Sequence, residues 1–178
     1  RYTWAPALFG KYERSKAGAW YANTGSFIVD RMRDGLSASA RNVEHVAFMV
    51  LDDIGTKSTP PPIEPTWKLE TSPGNYQWGY TFALDDQPTK GEYSAAITAM
   101  AAAGFTDPGA VNPVRNFRIE GSVNLKEGRD NFAARLAEFH PEREFTLTQI
   151  VKACGVTRVD LADGLHDLQG IRRIGMAH

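Results

Sequence analysis

The stretch that decides the fold is Met49-Val50-Leu51-Asp52-Asp53-Ile54-Gly55. The apolar run from Val46 to Leu51 is typical of a buried β-strand. It ends in two adjacent carboxylates, which proteins rarely bury unless they are paired or bound to a metal. The sequence therefore indicates one of two things: a strand that delivers Asp52 and Asp53 to a divalent metal ion, or an ordinary Asp-Asp-x-Gly turn.

A second informative stretch, Thr71-Ser72-Pro73-Gly74-Asn75-Tyr76-Gln77, follows downstream. Residues 66–71 alternate in polarity and residues 76–84 are rich in aromatic side chains, which predicts two strands. The Ser-Pro-Gly-Asn sequence between them is typical of a tight turn. We therefore predict a β-hairpin here.

The remaining segments mix strands with helices. Helical patterns cover residues 90–103, closed by Gly104, and residues 130–139 and 147–154. Further strands are predicted over residues 42–51, 115–119 and 124–127, and residues 23–34 are predicted to form a helix or a short strand. Strand pairs interspersed with helices favour an α+β fold with an antiparallel component.

Length and composition fit one domain with a sizeable core, since the chain has 178 residues, 42% of them hydrophobic and 23% charged. The single cysteine, Cys154, excludes an internal disulfide and suits a reducing, cytoplasmic location. No apolar run approaches the roughly 18 residues of a membrane span, so no membrane is expected as a partner. The start at Arg1 without a methionine suggests a domain excised from a longer protein.

Charge is unevenly distributed along the chain. Residues 44–107 carry three Lys or Arg against nine Asp or Glu, whereas residues 1–41 carry seven against three. An acidic middle between more basic flanks is compatible with a metal site that faces a polyanion, and also with a solvated acidic surface. The histidines share no metal-binding spacing with the cysteine, and there is no His-hydrophobe-His motif, which argues against a zinc site and a rolling-circle nickase.

Together these motifs resemble the archaeo-eukaryotic primase superfamily, in particular its RepB-like and primase-polymerase branches from plasmids and phages. That family has a strand ending in acidic residues, a Ser/Gly turn leading to His or a polar substitute, a third acidic residue, and an Arg-Leu-Pro-Gly-Ser-x-Asn-x-Lys type element. The matching positions are Asp52-Asp53, residues 72–77, Asp107 and residues 118–126. The resemblance covers roughly residues 42–130.

The sequence departs from the family pattern at three places. The first two acids are adjacent instead of spaced as Asp-x-Asp/Glu, Gln77 stands where His is usual, and Glu120 stands where Pro is usual. Neighbours on an ideal strand point to opposite faces, which makes Asp53, nearer the strand end, the first choice as a ligand. A β-bulge would recruit both.

The resemblance implies a two-metal nucleotidyl transfer site with Mg²⁺ or Mn²⁺ held by Asp52, Asp53 and Asp107. It also implies a set of nucleotide-binding residues: Ser72, Gly74, Asn75, Gln77, Arg115, Arg118, Asn124 and Lys126. Lys57, just beyond the acidic pair, is a lesser candidate for a phosphate contact. The alternatives are a hairpin turn without a ligand, a turn initiated by Asp107, and ordinary surface charge.

The family further implies an RRM-like antiparallel sheet with flanking helices, an N-terminal α/β unit and a C-terminal helical appendage. We expect a primase-polymerase catalytic core over residues 1–140 and the appendage over residues 141–178. The implied function is that of a DNA primase or DNA polymerase in the replication of a plasmid, phage or mobile element. Its partners would be a single-stranded DNA template and nucleoside triphosphates, and a helicase domain or protein is compatible with this role.

Two other functions stay open. A catalytically silent DNA-binding or replication-initiation module would keep the fold, and the adjacent acids and Gln77 favour it. A nuclease would use the same acids on single-stranded DNA. Ribonucleotide or deoxyribonucleotide preference, template preference and oligomeric state leave no mark in the sequence.

Overall fold

The computed structural model describes residues 18–19, 21–27, 39–156, 158–161 and 164–167. The strands in this part of the chain are β1 (Tyr21–Asn23), β2 (Gly25–Phe27), β3 (Val43–Val46), β4 (Phe48–Ile54), β5 (Trp67–Ser72), β6 (Asn75–Thr81), β7 (Asn116–Arg118), β8 (Arg135–Phe139), β9 (Arg158–Leu161) and β10 (Gly164–Asp167). The helices are α1 (Lys90–Ala102) and α2 (Leu147–Ala153), with short 3-10 helices at Ala40–Asn42 and Pro108–Ala110. The predicted α+β class is confirmed.

The central sheet is antiparallel and has the strand order β4-β6-β5-β8. Strands β5 and β6 are the two arms of the predicted hairpin, which is confirmed with its turn at Pro73 and Gly74. Three smaller antiparallel pairs join β1 to β7, β2 to β3 and β9 to β10. The pairing of β1 with β7 thus joins segments almost a hundred residues apart in the sequence.

The register of the central sheet separates two faces. Leu51, Trp78 and Lys68 stand opposite one another across the strands and define the face that we call the helical face. The main hydrophobic core packs there and includes Tyr93, Ile97 and Met100 of α1 and Leu147, Ile150 and Val151 of α2. Each fully buried side chain of this size contributes about 1.5–3 kcal/mol.

The opposite face, which we call the cleft face, carries Val50, Gly79 and Trp67. The indole of Trp67 lies directly over Gly79, where any Cβ would overlap the ring. A smaller cluster with Ala110 and Phe117 covers this part of the face. Beside this cluster, polar side chains line a cleft.

Helix α1 follows its sequence signals closely. Thr89 caps the first turn by accepting from the Glu92 N–H, and the Glu92 carboxylate accepts from the Thr89 N–H in return. Gly104, with φ +82°, ends the helix in the left-handed conformation. The predicted helix over residues 90–103 is therefore confirmed, as is the helix predicted over 147–154.

The predicted helix over residues 130–139 is wrong. Asp130 and Asn131 take φ of +48° and +53°, outside the right-handed helical region, and residues 135–139 form β8 instead. This strand pairs with β5 through contacts such as Trp67 with Phe139 and so completes the edge of the sheet. The long-range backbone pairing overrides a local helical preference.

Other segments differ from the predictions in smaller ways. The strand predicted over residues 42–51 is two strands, β3 and β4, separated at Ala47. Residues 124–127 form no strand and follow an isolated bridge between Val123 and Ala133. Of residues 23–34, the structure describes 23–27, which belong to β1 and β2, and the rest lies outside the described residues.

The C-terminal segment is helical only in part. Helix α2 packs into the main core, and the antiparallel pair β9–β10 follows it. The remaining residues of the predicted appendage, and most of the predicted N-terminal α/β unit, lie outside the described residues. No helix in the described part of the chain is long and apolar enough to cross a membrane.

Candidate functional site

A polar cleft of about 570 Å³ opens on the cleft face, where β4 ends. Of the eleven residues proposed from the sequence, ten line it: Asp52, Asp53, Ser72, Asn75, Gln77, Asp107, Arg115, Arg118, Asn124 and Lys126. Gly74 is the exception. The other residues that line the cleft are Tyr21, Lys57, Thr71, Asn112, Val114, Asn116 and Arg129.

A bulge in β4 brings both adjacent aspartates to this cleft. Leu51 pairs with Trp78 and Ile54 pairs with Tyr76, so Asp52 and Asp53 together stand opposite one residue of β6. Asp53 takes φ +60°, which is uncommon for a non-glycine residue and turns the chain out of the regular pleat. The adjacent spacing of the acids is therefore compatible with both of them facing one site.

Asp52 is the more deeply placed of the two. Its Oδ1 accepts from the Asp53 N–H at 3.0 Å and from Gln77 Nε2 at 3.3 Å, while its own N–H donates to Thr106 Oγ1 at 2.9 Å. Burial raises the pKa of Asp52, and the neighbouring negative charge of Asp53 raises it further. The ionised form of Asp52 is thus less favourable than that of a free aspartate, and a further positive charge nearby would favour it.

Asp53 is held by cationic and amide donors. Its Oδ1 accepts from Asn75 Nδ2 at 3.0 Å and its Oδ2 from Lys57 Nζ at 2.6 Å. Burial raises the pKa of Asp53, but the hydrogen bonds from Lys57 and Asn75 outweigh it and leave the pKa below its ordinary value. Two neighbouring carboxyls whose pKa values are pushed in opposite directions mark a functional-site candidate.

Asp107 initiates a turn and lines the cleft as well. Its Oδ1 accepts from the Gly109 N–H at 2.6 Å, which caps the 3-10 helix at Pro108–Ala110. Its Oδ2 lies 3.7 Å from Lys57 Nζ, the ammonium that also contacts Asp53. Asp107 therefore both initiates the turn and lies beside the aspartate pair.

The hairpin turn and the end of β4 pack tightly on each other. Gly74 takes φ +71°, and its N–H donates to Glu70 Oε1 at 3.0 Å. Gly55 takes φ +87°, and a Cβ there would lie only 2.8 Å from the carbonyl oxygen of Gly74. The close approach lets Thr56 Oγ1 donate to Asn75 Oδ1 at 2.6 Å, so the two turns form one wall of the cleft.

The opposite wall is basic and well ordered by hydrogen bonds. Arg118 donates to the Val123 carbonyl at 2.9 Å and to Asn124 Oδ1 at 2.9 Å, and its guanidinium lies 5.3 Å from the centre of the Tyr21 ring. Asn124 is buried and donates in turn to the Thr71 carbonyl at 3.1 Å. These contacts fix the basic wall against β5.

Sequence reasoning missed two kinds of lining residue. Arg129 reaches across to Ser72, donating from Nη1 to Oγ at 3.4 Å, but it lies just before the segment wrongly predicted to be a helix. Tyr21 reaches the cleft only because β1 pairs with β7, where Tyr21 stands opposite Arg118. A local pattern gives no signal for a pairing across that distance.

The donor set partly fits a divalent cation. In the part of the chain that the structure describes, no group of three or more His, Cys, Asp or Glu side chains is arranged to hold a metal ion. However, the Lys57 ammonium stands between the Asp53 and Asp107 carboxylates as an internal cation. Gln77 Oε1 is buried beside Asp52 without a hydrogen-bond partner among the described residues. Carboxylate and amide oxygens are the ligands that Mg²⁺ and Mn²⁺ take.

Replacing Asp52 by asparagine is expected to stabilise the fold at neutral pH. A carboxyl whose folded-state pKa is raised contributes stability only while protonated, and this contribution is lost as the pH rises through the folded-state value. Asparagine keeps an Oδ1 acceptor for Asp53 and Gln77 and carries no charge. We expect a gain of about 0.5–2 kcal/mol in the free energy of unfolding at pH 7.

Urea denaturation as a function of pH measures this effect. The advantage of Asp52→Asn should shrink as the pH falls towards the ordinary aspartate value of 3.8. If Asp52→Asn is less stable than the native chain at pH 7, the hydrogen bonds and charges around Asp52 already offset the cost of burying its carboxylate in the metal-free chain.

Comparisons with known proteins identify the fold. No protein-family model and no curated protein sequence matches the chain. Among solved structures, the AEP domain of the primase-polymerase (PrimPol) of cyanophage S-2L is similar, with a TM-score of 0.56 and 12% identity over 75% of this chain and 69% of that chain. A crystal structure of primase RepB′ has a TM-score of 0.47 and 21% identity over 64% of this chain and 40% of that chain. The catalytic domain of RepB′ in complex with initiator DNA has a TM-score of 0.47 and 21% identity over 63% and 59%.

The comparison with the cyanophage domain is the informative one for the fold. The likeness of that domain to this chain, with a TM-score of 0.56, shows that the two share a fold. The likeness covers three quarters of this chain.

Proposed function

We propose that this chain is a primase-polymerase domain that carries out template-directed, divalent-metal-dependent nucleotidyl transfer in the replication of a plasmid, phage or mobile element. The observation that carries the proposal is the β4 bulge, which brings Asp52 and Asp53 into one cleft with Asp107 and a basic wall. The fold shared with a phage primase-polymerase domain supports it.

The acidic side of the cleft would hold the metal ions. Mg²⁺ or Mn²⁺ bound there would supply the charge neutralisation and nucleophile activation that phosphoryl transfer needs. Asp52, Asp53 and Asp107 would be the ligands, and Gln77 offers an amide oxygen next to Asp52. The positive charge of a metal would also favour the ionised form of Asp52, whose pKa is raised in the free chain.

The basic side would hold the triphosphate and the template. Arg115, Lys126 and Arg129 line the same cleft as the aspartates, and guanidinium groups suit phosphate oxygens. Ser72 and Asn75 present short polar groups from the hairpin turn between the two sides. Arg118 and Asn124 are already engaged in hydrogen bonds within the wall, so we assign them to keeping it in place.

Replacing Arg129 by alanine is expected to raise the KM for the nucleoside triphosphate about tenfold with a smaller effect on kcat. Among the described residues Arg129 makes one side-chain hydrogen bond, to Ser72 at 3.4 Å, which leaves its other donors for a phosphate. Steady-state kinetics of primer extension measure the two constants. Arg41→Ala removes an exposed arginine outside the cleft and should leave both unchanged.

The proposal is tested by primer synthesis on single-stranded DNA. The native chain is incubated with labelled ribonucleoside or deoxyribonucleoside triphosphates and with Mg²⁺ or Mn²⁺. Template-dependent products would support it, and their composition would give the sugar preference. Degradation of labelled single-stranded DNA with Mn²⁺ and no nucleotides would instead assign the same acids to a nuclease.

A catalytically silent DNA-binding module is the second candidate. The finding that favours it is that the described residues offer no ready group of three metal-ligating side chains. Such a module would bind single-stranded DNA equally well with and without divalent metal and would give no products on any template. Mn²⁺ binding that disappears in an aspartate variant would exclude it.

A further inference from the structure

Lys57 occupies the place that a cation would take between two proposed metal ligands. Its Nζ lies 2.6 Å from Asp53 Oδ2 and 3.7 Å from Asp107 Oδ2. The lysine side chain is 71% exposed, whereas the two carboxylates are 20% and 27% exposed. The ammonium therefore covers the carboxylates from the solvent side of the cleft.

Hydrogen bonds hold the backbone around Lys57 in place, whereas its side chain is mostly exposed. The Asp53 carbonyl accepts from the N–H groups of Lys57 and Ser58, both at 3.0 Å, and Ser58 Oγ donates to the Asp52 carbonyl at 2.8 Å. The ammonium has no further acceptor at hydrogen-bond distance among the described residues. It can leave the carboxylates by rotation of an exposed four-carbon side chain, with no change in the turn.

An ammonium and a divalent ion cannot share this position, because both need the same carboxylate oxygens and they repel each other. We propose that Lys57 is an exchangeable internal counterion: it offsets part of the negative charge of Asp53 and Asp107 in the metal-free chain and gives way when a divalent cation binds. The inference rests on the proposed metal site. On this view Lys57 weakens metal binding by pairing with the carboxylates that would be the ligands. The affinity for the metal then depends on a residue that is not itself a metal ligand.

The experiment is Mn²⁺ binding without nucleotide, followed by the electron paramagnetic resonance signal of free Mn²⁺ at low salt. Lys57→Met removes the charge and keeps most of the side-chain length. We expect Lys57→Met to bind Mn²⁺ about two- to fivefold more tightly than the native chain, the range set by exposed ion pairs. Salt should reduce the difference. Lys152→Met changes the net charge equally from an exposed position on α2 and should not alter the affinity.

Two further variants separate the possible failures. If Lys57→Met binds Mn²⁺ no more tightly than the native chain while Asp53→Asn abolishes binding, the counterion inference is overturned and the metal site stands. If neither the native chain nor Lys57→Met binds Mn²⁺, the metal part of the proposed function is overturned and the inference falls with it. Tighter binding by Lys57→Met, lost again in the double variant with Asp53→Asn, supports both. Thermal unfolding of each variant verifies that it is folded.

Discussion

Replacing Asp53 by asparagine is expected to reduce nucleotidyl transfer by about a hundredfold or more and to leave the fold intact. Removal of a group that merely orients a metal ligand typically costs about 10–100-fold, so loss of a charged ligand should cost at least as much. Asparagine is among the few residues that tolerate the left-handed backbone observed at this position, with φ +60°. Its amide oxygen can still accept from Asn75, which now donates to Asp53 Oδ1.

The measurement is primer extension under single-turnover conditions with Mg²⁺ and with Mn²⁺. Asp85→Asn is the matched control, since Asp85 is an exposed aspartate outside the cleft and the change in net charge is the same. Asp107→Asn tests the third proposed ligand and should also lose activity, although its Oδ1 can keep the cap on Gly109. Full activity of Asp53→Asn in a folded variant would remove the basis of the proposed mechanism.

Local chemistry explains why so many of the residues that line the cleft could be singled out from the sequence. The acidic end of β4, the hairpin turn and the Asp107 turn each carry their signal within a few residues. Asp52 and Asp53, the residues Ser72 and Asn75 that flank the hairpin turn, and Asp107 all line one cleft. The hairpin fixes Asn75 and Gln77 relative to β4 because antiparallel neighbours have a defined register. The sequence also left open whether both adjacent aspartates can face one site, and the bulge in β4 explains how they do.

The features that were not predicted depend on pairing at long range. β8 forms because β5 offers an open edge, although residues 130–139 have a helical composition. Tyr21 enters the cleft because β1 pairs with β7, almost a hundred residues later. Arg129 donates to Ser72, a residue 57 positions earlier in the sequence. The periodicity of a segment can be read from a single sequence. The strand with which that segment pairs cannot, because the whole fold determines the pairing.

Replacing Gly55 by alanine is expected to destabilise the fold and to distort the acidic side of the cleft. Alanine at φ +87° would cost roughly 1–2 kcal/mol in backbone strain alone. Its Cβ would also lie 2.8 Å from the Gly74 carbonyl oxygen, a backbone atom that moves only with the hairpin turn. Relieving such an overlap typically costs about 1–3 kcal/mol more.

Gly104→Ala separates the two contributions, because Gly104 has a similar φ of +82° and a Cβ added there would meet no atom within 4 Å beyond its chain neighbours. Urea denaturation should therefore show a clearly larger loss of stability for Gly55→Ala. The two variants should differ in activity as well. Parting the turns would separate Asn75 from Asp53 and Thr56, and a displacement of about 1 Å in a catalytic constellation can cost roughly a hundredfold in rate. Equal stability and activity in the two variants would show that the contact between Gly55 and Gly74 does not hold the acidic wall together.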